Sequence, residues 1–311
     1  MNNWKDPAKR LERILHDEGT SLEPFQQFLE LPFDEAVAMA QSVATGNKPS
    51  NSNVLKLKPT VDFLPKTIKR VTSIQHWNCC QLYVDRVFQF YLMSAIDRMN
   101  GREFGSRISV QGRAVLGQLL TSGKPLIFLN SHFGPGQIAQ ICLAKMGVSF
   151  TTLSARNFYE VLGIENPAID VFQLFSSFDV KAIARGLEDL NAGKHIHLTG
   201  DGRSGSSGRN WNFFGRARTF HQGFSYLALK SGAIAVPIFT TIDHEAHITL
   251  TIKPAFKVPD GQLSQSAQLK HMTGQYVKML KNQWRKNPSN IPPRSLFKYQ
   301  DLPMIRSAGK V

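Results

Sequence analysis

The stretch PLIFLNSHFGPGQ, residues 125–137, decides how this chain reads. Leu126, Ile127, Phe128 and Leu129 form an apolar run with no polar alternation, the pattern of a strand buried on both faces of a parallel sheet. Gly134, Pro135 and Gly136 mark a turn, and from Gln137 to Met146 the apolar spacing becomes helical. A strand that ends at Asn130 and hands over to a helix places Ser131 and His132 at a strand's carboxyl end, where open α/β sheets bind their ligands.

Outward from this unit the alternation continues. Val148 to Ser154 reads as strand, Val180 to Ala192 as helix, His195 to Thr199 as strand and Phe220 to Lys230 as helix. Ala233 to Asp243 and His247 to Val258 are two further strands with a turn between them, and Ser264 to Lys286 is a basic helix. The expected fold class is α/β: a mixed, mostly parallel central sheet flanked by helices. Before it, apolar positions at helical spacing (Leu11, Ile14 and Leu15; Phe33 to Ala44; Trp77 to Met99) give an all-helical extension, interrupted by a polar loop from Gly46 to Asn53. The organisation is therefore a helical region, 1–104, and an α/β domain, 105–311. The aromatic-rich stretch from Cys80 to Met93 has two readings, a helix lying on lipid or a helix packed on the core, the usual fate of such stripes.

Composition bounds the function. A chain of 311 residues with 42% hydrophobic content can bury a large core. Its 37 Lys and Arg against 23 Asp and Glu leave a net charge of +14, which suits an anionic lipid surface, an acidic carrier protein or nucleic acid. No helix-turn-helix, RRM or zinc pattern supports nucleic acid, and no run of about 18 apolar residues offers a membrane span. Cys79, Cys80 and Cys142 lack metal or disulfide spacing, so the expectation is a reducing cytoplasm, no metal and no cofactor. The polar, charged N-terminus lacks the apolar core of a secretory signal, so membrane contact would be peripheral, on the inner membrane.

Three other features carry candidate chemistry. Arg203, Arg209, Arg216 and Arg218 surround a Gly/Ser loop, Gly200 to Gly208, which reads either as a phosphate or phosphopantetheine cradle or as a solvated loop. Asp243-His-Glu-Ala-His247 has a His-x-x-His spacing but sits between two strands, where a hairpin turn explains it better than a metal. Ser131 beside His132 lacks the Gly-x-Ser-x-Gly elbow of a nucleophile.

The segment around His132 resembles the His-x-x-x-x-acid box of the lysophospholipid acyltransferase superfamily, in its lipid A (HtrB-like) branch. Gly193 to Asp201 is similar to that family's strand ending in an aspartate. Trp211 to Gly215, Arg218, Thr219, Gly223, Leu227-Ala228 and Ser231 to Pro237 are similar to its "FFG … T … G … LA … SGA … P" run. The resemblance covers residues 105 to 258 and implies a glycerol-3-phosphate-acyltransferase-like fold. It implies a general base, His132, acting on a hydroxyl or amine acceptor, with an acyl carrier protein or coenzyme A thioester as co-substrate. It also implies substrate contacts from Asn130, Ser131, Gly134, Arg156, Arg203, Phe214, Gly215, Arg218 and Thr219, with Phe213 and Phe214 either lining an acyl tunnel or belonging to the core.

The chain departs from the family twice: Gln137 stands where the family has its acid, and the polar N-terminal stretch gives the expectation of no N-terminal membrane anchor. The glutamine leaves three readings. Asp201, also past a strand end, approaches His132 and supplies the carboxylate; an amine or thiol acceptor needs only a weak base; or the site is degenerate and binds an acyl group or carrier without transfer. Acyl chain, acceptor and oligomeric state are not legible.

Overall fold

The computed structural model describes residues 7–17, 20–46, 86–154, 157–173, 180–202, 208–243, 245–257 and 263–292, together with Ser295, Tyr299, Leu302, Pro303 and Ile305. Seven strands form one sheet: β1 (Ile108–Gln111), β2 (Leu126–Asn130), β3 (Phe150–Ser154), β4 (Ile169–Gln173), β5 (His195–Thr199), β8 (Ile234–Ile242) and β9 (Ile248–Ile252). Between β5 and β8 in sequence, β6 (Gly208–Phe213) and β7 (Arg216–His221) make a separate antiparallel hairpin. The sheet runs β1-β9-β8-β2-β5-β3-β4. Every neighbouring pair is parallel except β8 and β9. That exception follows from the connection, since a tight turn can join only antiparallel strands. Asp243 makes the turn, its Oδ1 accepting the N–H groups of Glu245 and His247 at 2.9 Å each.

Alternation along the strands builds two cores. Leu126 and Phe128 of β2, with Val236 and Ile238 of β8, face one side; Ile127 and Leu129, with Ala235 and Phe239, face the other. The first face is covered by helices Ile138–Lys145 and Arg86–Arg98 and by the short N-terminal helices Pro7–Asp17, Leu22–Glu30 and Phe33–Gly46. The second is covered by Val180–Asn191, Gly223–Ser231 and Gln265–Lys286. Each fully buried Leu, Ile or Phe contributes roughly 1.5–3 kcal/mol, so both helical layers are held mainly by apolar burial.

Helix Arg86–Arg98 settles the described part of the aromatic stretch in favour of packing. Phe88, Phe90, Tyr91, Leu92, Met93 and Ile96 are all buried, and Tyr91 donates to the Leu31 carbonyl at 3.0 Å. Residues 80–85 and most of the 46–53 loop lie outside the described residues. No described helix is long and apolar enough to cross a membrane.

The α/β expectation holds, with differences where the apolar signal is weak. Phe220 belongs to β7 instead of opening a helix, and the helix begins at Gly223. Strands β1, β4, β6 and β7 are additions to the expected set. Their sequences, ISVQ, IDVFQ, GRNWNF and RARTFH, carry too few apolar residues to announce a buried strand.

Candidate active site

Strand pairing brings the two principal candidate residues together. β2 and β5 are adjacent and parallel, with Asn130 paired to Thr199, and the Gly200 N–H donates to the Asn130 carbonyl at 2.9 Å. His132 and Asp201 each stand two residues beyond that pair, so a separation of 69 residues in sequence becomes direct contact. Asp201 Oδ1 accepts the His132 backbone N–H at 2.8 Å and lies 2.9 Å from His132 Nδ1. The other oxygen, Oδ2, accepts from Arg218 Nη2 at 3.0 Å.

Burial and charge are divided unequally across this cluster. The Asp201 side chain is 3% exposed and the His132 side chain 63% exposed. Burial, the largest single effect, pushes the Asp201 carboxyl up. The His132 charge and hydrogen bonds, with Arg218, outweigh it and hold the group well below the ordinary carboxylate range. Asp201 is therefore an ionised acceptor, and an ionised carboxylate can only accept. The proton of a neutral His132 ring then sits on Nδ1, leaving the lone pair on Nε2.

The turn that carries His132 is braced from several elements. Asn130 Nδ2 donates to the Gly136 carbonyl at 2.6 Å, and the Asn130 carbonyl accepts from Tyr276 of helix Gln265–Lys286 at 3.0 Å. Gly134 has φ +63°, and a Cβ there would stand 2.0 Å from the Thr240 carbonyl oxygen. Its N–H donates to the Asn290 carbonyl at 2.7 Å, while the Asn290 side chain makes two bonds to the Ile242 backbone, at 2.9 and 3.0 Å. The N–H groups of Gly136, Ile138, Ala139 and Gln140 also donate within the turn and the first helical residues. Ser131 is buried under the same turn.

Gln137 lies elsewhere. It is the residue before helix Ile138–Lys145, and its Oε1 accepts from Gln140 Nε2 at 3.3 Å. The carboxylate against the His132 ring is Asp201.

The β6–β7 hairpin supplies Arg218. Its two-residue turn, Phe214-Gly215, has positive φ at both positions (+53° and +85°), the twist that suits a tight hairpin. On β7, Arg216, Arg218 and Phe220 share one face. The Arg218 guanidinium carbon is 4.8 Å from the ring centres of Phe213 and Phe220 and 5.9 Å from that of Trp284. Phe213 is wholly buried in the aromatic core with Phe220, Trp284 and Tyr299. Phe214 stacks on Trp284 at the turn, with Lys281 and Arg285 over its ring. Thr219 is exposed and donates across the hairpin to Asn210 Oδ1 at 2.7 Å. Arg156, Arg203 and most of the Gly/Ser loop lie outside the described residues.

Tyr276, Trp284 and Asn290 brace this site, and sequence reasoning missed all three. Helical spacing marks Tyr276 and Trp284 as buried, but spacing does not reveal which distant strand end they touch. Among the described residues, no group of three or more His, Cys, Asp and Glu is placed to hold a metal ion.

The sequence pattern of the bacterial lipid A biosynthesis acyltransferase family matches residues 83–285. No curated protein sequence matches the chain. Among solved structures, the crystal structure of the 1-acyl-sn-glycerophosphate acyltransferase PlsC from Thermotoga maritima is similar over 75% of this chain and 98% of that chain, with 14% identity and a TM-score of 0.38.

Proposed function

Because the chain belongs to the bacterial lipid A biosynthesis acyltransferase family and is an acyltransferase, we propose that His132, paired with Asp201, is the general base that moves an acyl group from a thioester to a hydroxyl or amine acceptor. The observation that carries this reading is the contact between an accessible imidazole and a buried, ionised carboxylate at the carboxyl ends of two adjacent strands.

In this mechanism the acceptor approaches the exposed edge of His132. Nε2 removes the acceptor proton as its oxygen or nitrogen attacks the thioester carbonyl. Asp201 stabilises the imidazolium that forms. The tetrahedral intermediate collapses with cleavage of the C–S bond, and the proton on Nε2 passes to the departing thiolate. Atoms and charge balance without an acyl-enzyme and without a cofactor; acyl carrier protein or coenzyme A enters as co-substrate. The turn's own hydrogen bonds already use the N–H groups of Gly134, Gly136 and Ile138, so oxyanion stabilisation falls to other donors. A degenerate site would leave the imidazole without a carboxylate, and Asp201 supplies one.

The charge of +14 suits an acidic carrier or an anionic membrane surface approached peripherally from the cytoplasm. The test is incubation of the purified protein with acyl-carrier-protein and acyl-coenzyme A thioesters and a cellular lipid and metabolite extract. An acylated product in the mass spectrum, dependent on the protein and absent with His132→Ala, supports the proposal. Equal product from that variant overturns it.

A further inference from the structure

We propose that Arg218 is a positioning residue that acts through Asp201, fixing the carboxylate so that Oδ1 stays aimed at His132, and that it does not contact substrate. The inference rests on His132 being the base. Oδ1 accepts both bonds from His132, and Oδ2 accepts from Arg218, so the carboxylate is held at both ends. Among the described residues, Arg218 is the side chain that prevents the carboxylate from rotating about its Cβ–Cγ bond and exchanging oxygens.

The surroundings of Arg218 fit anchoring better than ligand binding. Its side chain is 17% exposed, one arm of the fork is on Asp201, and its carbon lies within 4.8 Å of two phenylalanine ring centres. A planar guanidinium stacks on aromatic faces and keeps its charge when desolvated, which an ammonium does poorly. The hairpin reinforces the placement: Arg218 is paired with Trp211, and Arg216, two residue pairs away on the same face, is tied to the Leu302 carbonyl. Arg218 also makes it feasible to bury Asp201 as an anion, because an unpaired buried carboxylate would protonate and cease to accept from Nδ1–H. Gln137 has no charge to offer the ring, so the Arg218–Asp201 pair is the part of the site that keeps a negative oxygen against His132.

Two measurements test this, one of which needs no turnover. In proton NMR of 15N-histidine-labelled protein, the hydrogen-bonded Nδ1–H of His132, assigned by its loss in His132→Ala, should appear at low field. It should vanish in Asp201→Asn and be lost or broadened by exchange in Arg218→Gln. No such signal in the unmodified protein, or an unchanged signal in Arg218→Gln, overturns the proposal.

In the second, thiol release from dodecanoyl-coenzyme A should show kcat lowered roughly tenfold by Arg218→Gln at constant KM, with Arg218→Lys partly active. The double variant Arg218→Gln/Asp201→Asn should be no slower than Asp201→Asn alone, since one residue acts through the other. A raised KM at unchanged kcat, or losses that multiply, would identify Arg218 as a substrate ligand and reject the positioning role. Should Arg218→Gln fail to fold, Arg218→Lys carries the same comparisons. A protein that cleaves no thioester yet gives the expected spectra counts against the proposed function and leaves the positioning role supported.

Discussion

His132 Nδ1 lies 2.9 Å from Asp201 Oδ1, and the two residues are related by strand register. Each follows by two positions the matched pair Asn130 and Thr199 on adjacent parallel strands. The contact is thus built by the sheet and locked by the Asp201 bond to the His132 backbone. An imidazole held in this way keeps one tautomer without help from the helix that follows it.

Replacing Asp201 with Asn should leave the ring in contact but remove the charge that stabilises the imidazolium. The expected loss in kcat is on the order of 10³-fold, with little change in donor affinity. Steady-state kinetics at several donor concentrations measure both. A loss under tenfold would show that the carboxylate is dispensable.

Gln137→Glu introduces an acid at the position the family uses, but Gln137 faces Gln140 and Asp201 already occupies Nδ1. Activity toward an alcohol acceptor should therefore stay level or fall. A tenfold rise would mean that the site lacked a carboxylate after all and that Asp201 is not the functional partner.

Two buried groups set separate windows for acid destabilisation. Burial pulls His197, bonded to Thr152 Oγ1 at 3.0 Å, down to about 3. The unfolded chain then binds a proton below about pH 6.5 that the folded chain refuses, so stability should fall as pH drops from there toward 3. Asp201 has the opposite character, a carboxyl held below its ordinary range. Its contribution is complete above about pH 4 and fades only in stronger acid. Urea denaturation across pH should show His197→Asn flattening the first slope, with Asp201→Asn altering the second. A first slope unchanged in His197→Asn would refute the assignment.

Gly134→Ala should destabilise the protein by at least about 2 kcal/mol, because the added carbon meets both a left-handed backbone and the Thr240 carbonyl. The denaturation midpoint should drop at constant m-value. A midpoint within error of the unmodified protein would show that the turn relaxes freely.

The sequence made the strand ends and the candidate histidine legible because their signals are local. LIFLN is an apolar run, and a histidine two residues past it stands out without knowledge of the rest of the chain. Asp201 was legible as a residue past a strand end, but its partnership with His132 depended on which strands are neighbours, and strand order is set by packing over the whole sheet. Hairpin β6–β7 gave no strand signal because GRNWNF is mostly exposed and polar, and Phe220 reads as the start of a helix. Arg218 was accordingly grouped with the arginines of a presumed phosphate cradle, where charge alone suggested substrate. Two of its aromatic neighbours, Phe213 and Phe220, are local to the hairpin, but the third, Trp284, comes 66 residues later in the chain, a distance that no periodicity spans.

The central claim is tested most directly by single-turnover acyl transfer with the unmodified protein and with His132→Ala, alongside donor binding measured by calorimetry. The account predicts a rate loss of roughly 10³-fold or more with donor affinity preserved within a factor of about two. Transfer by His132→Ala within tenfold of the unmodified rate would contradict it.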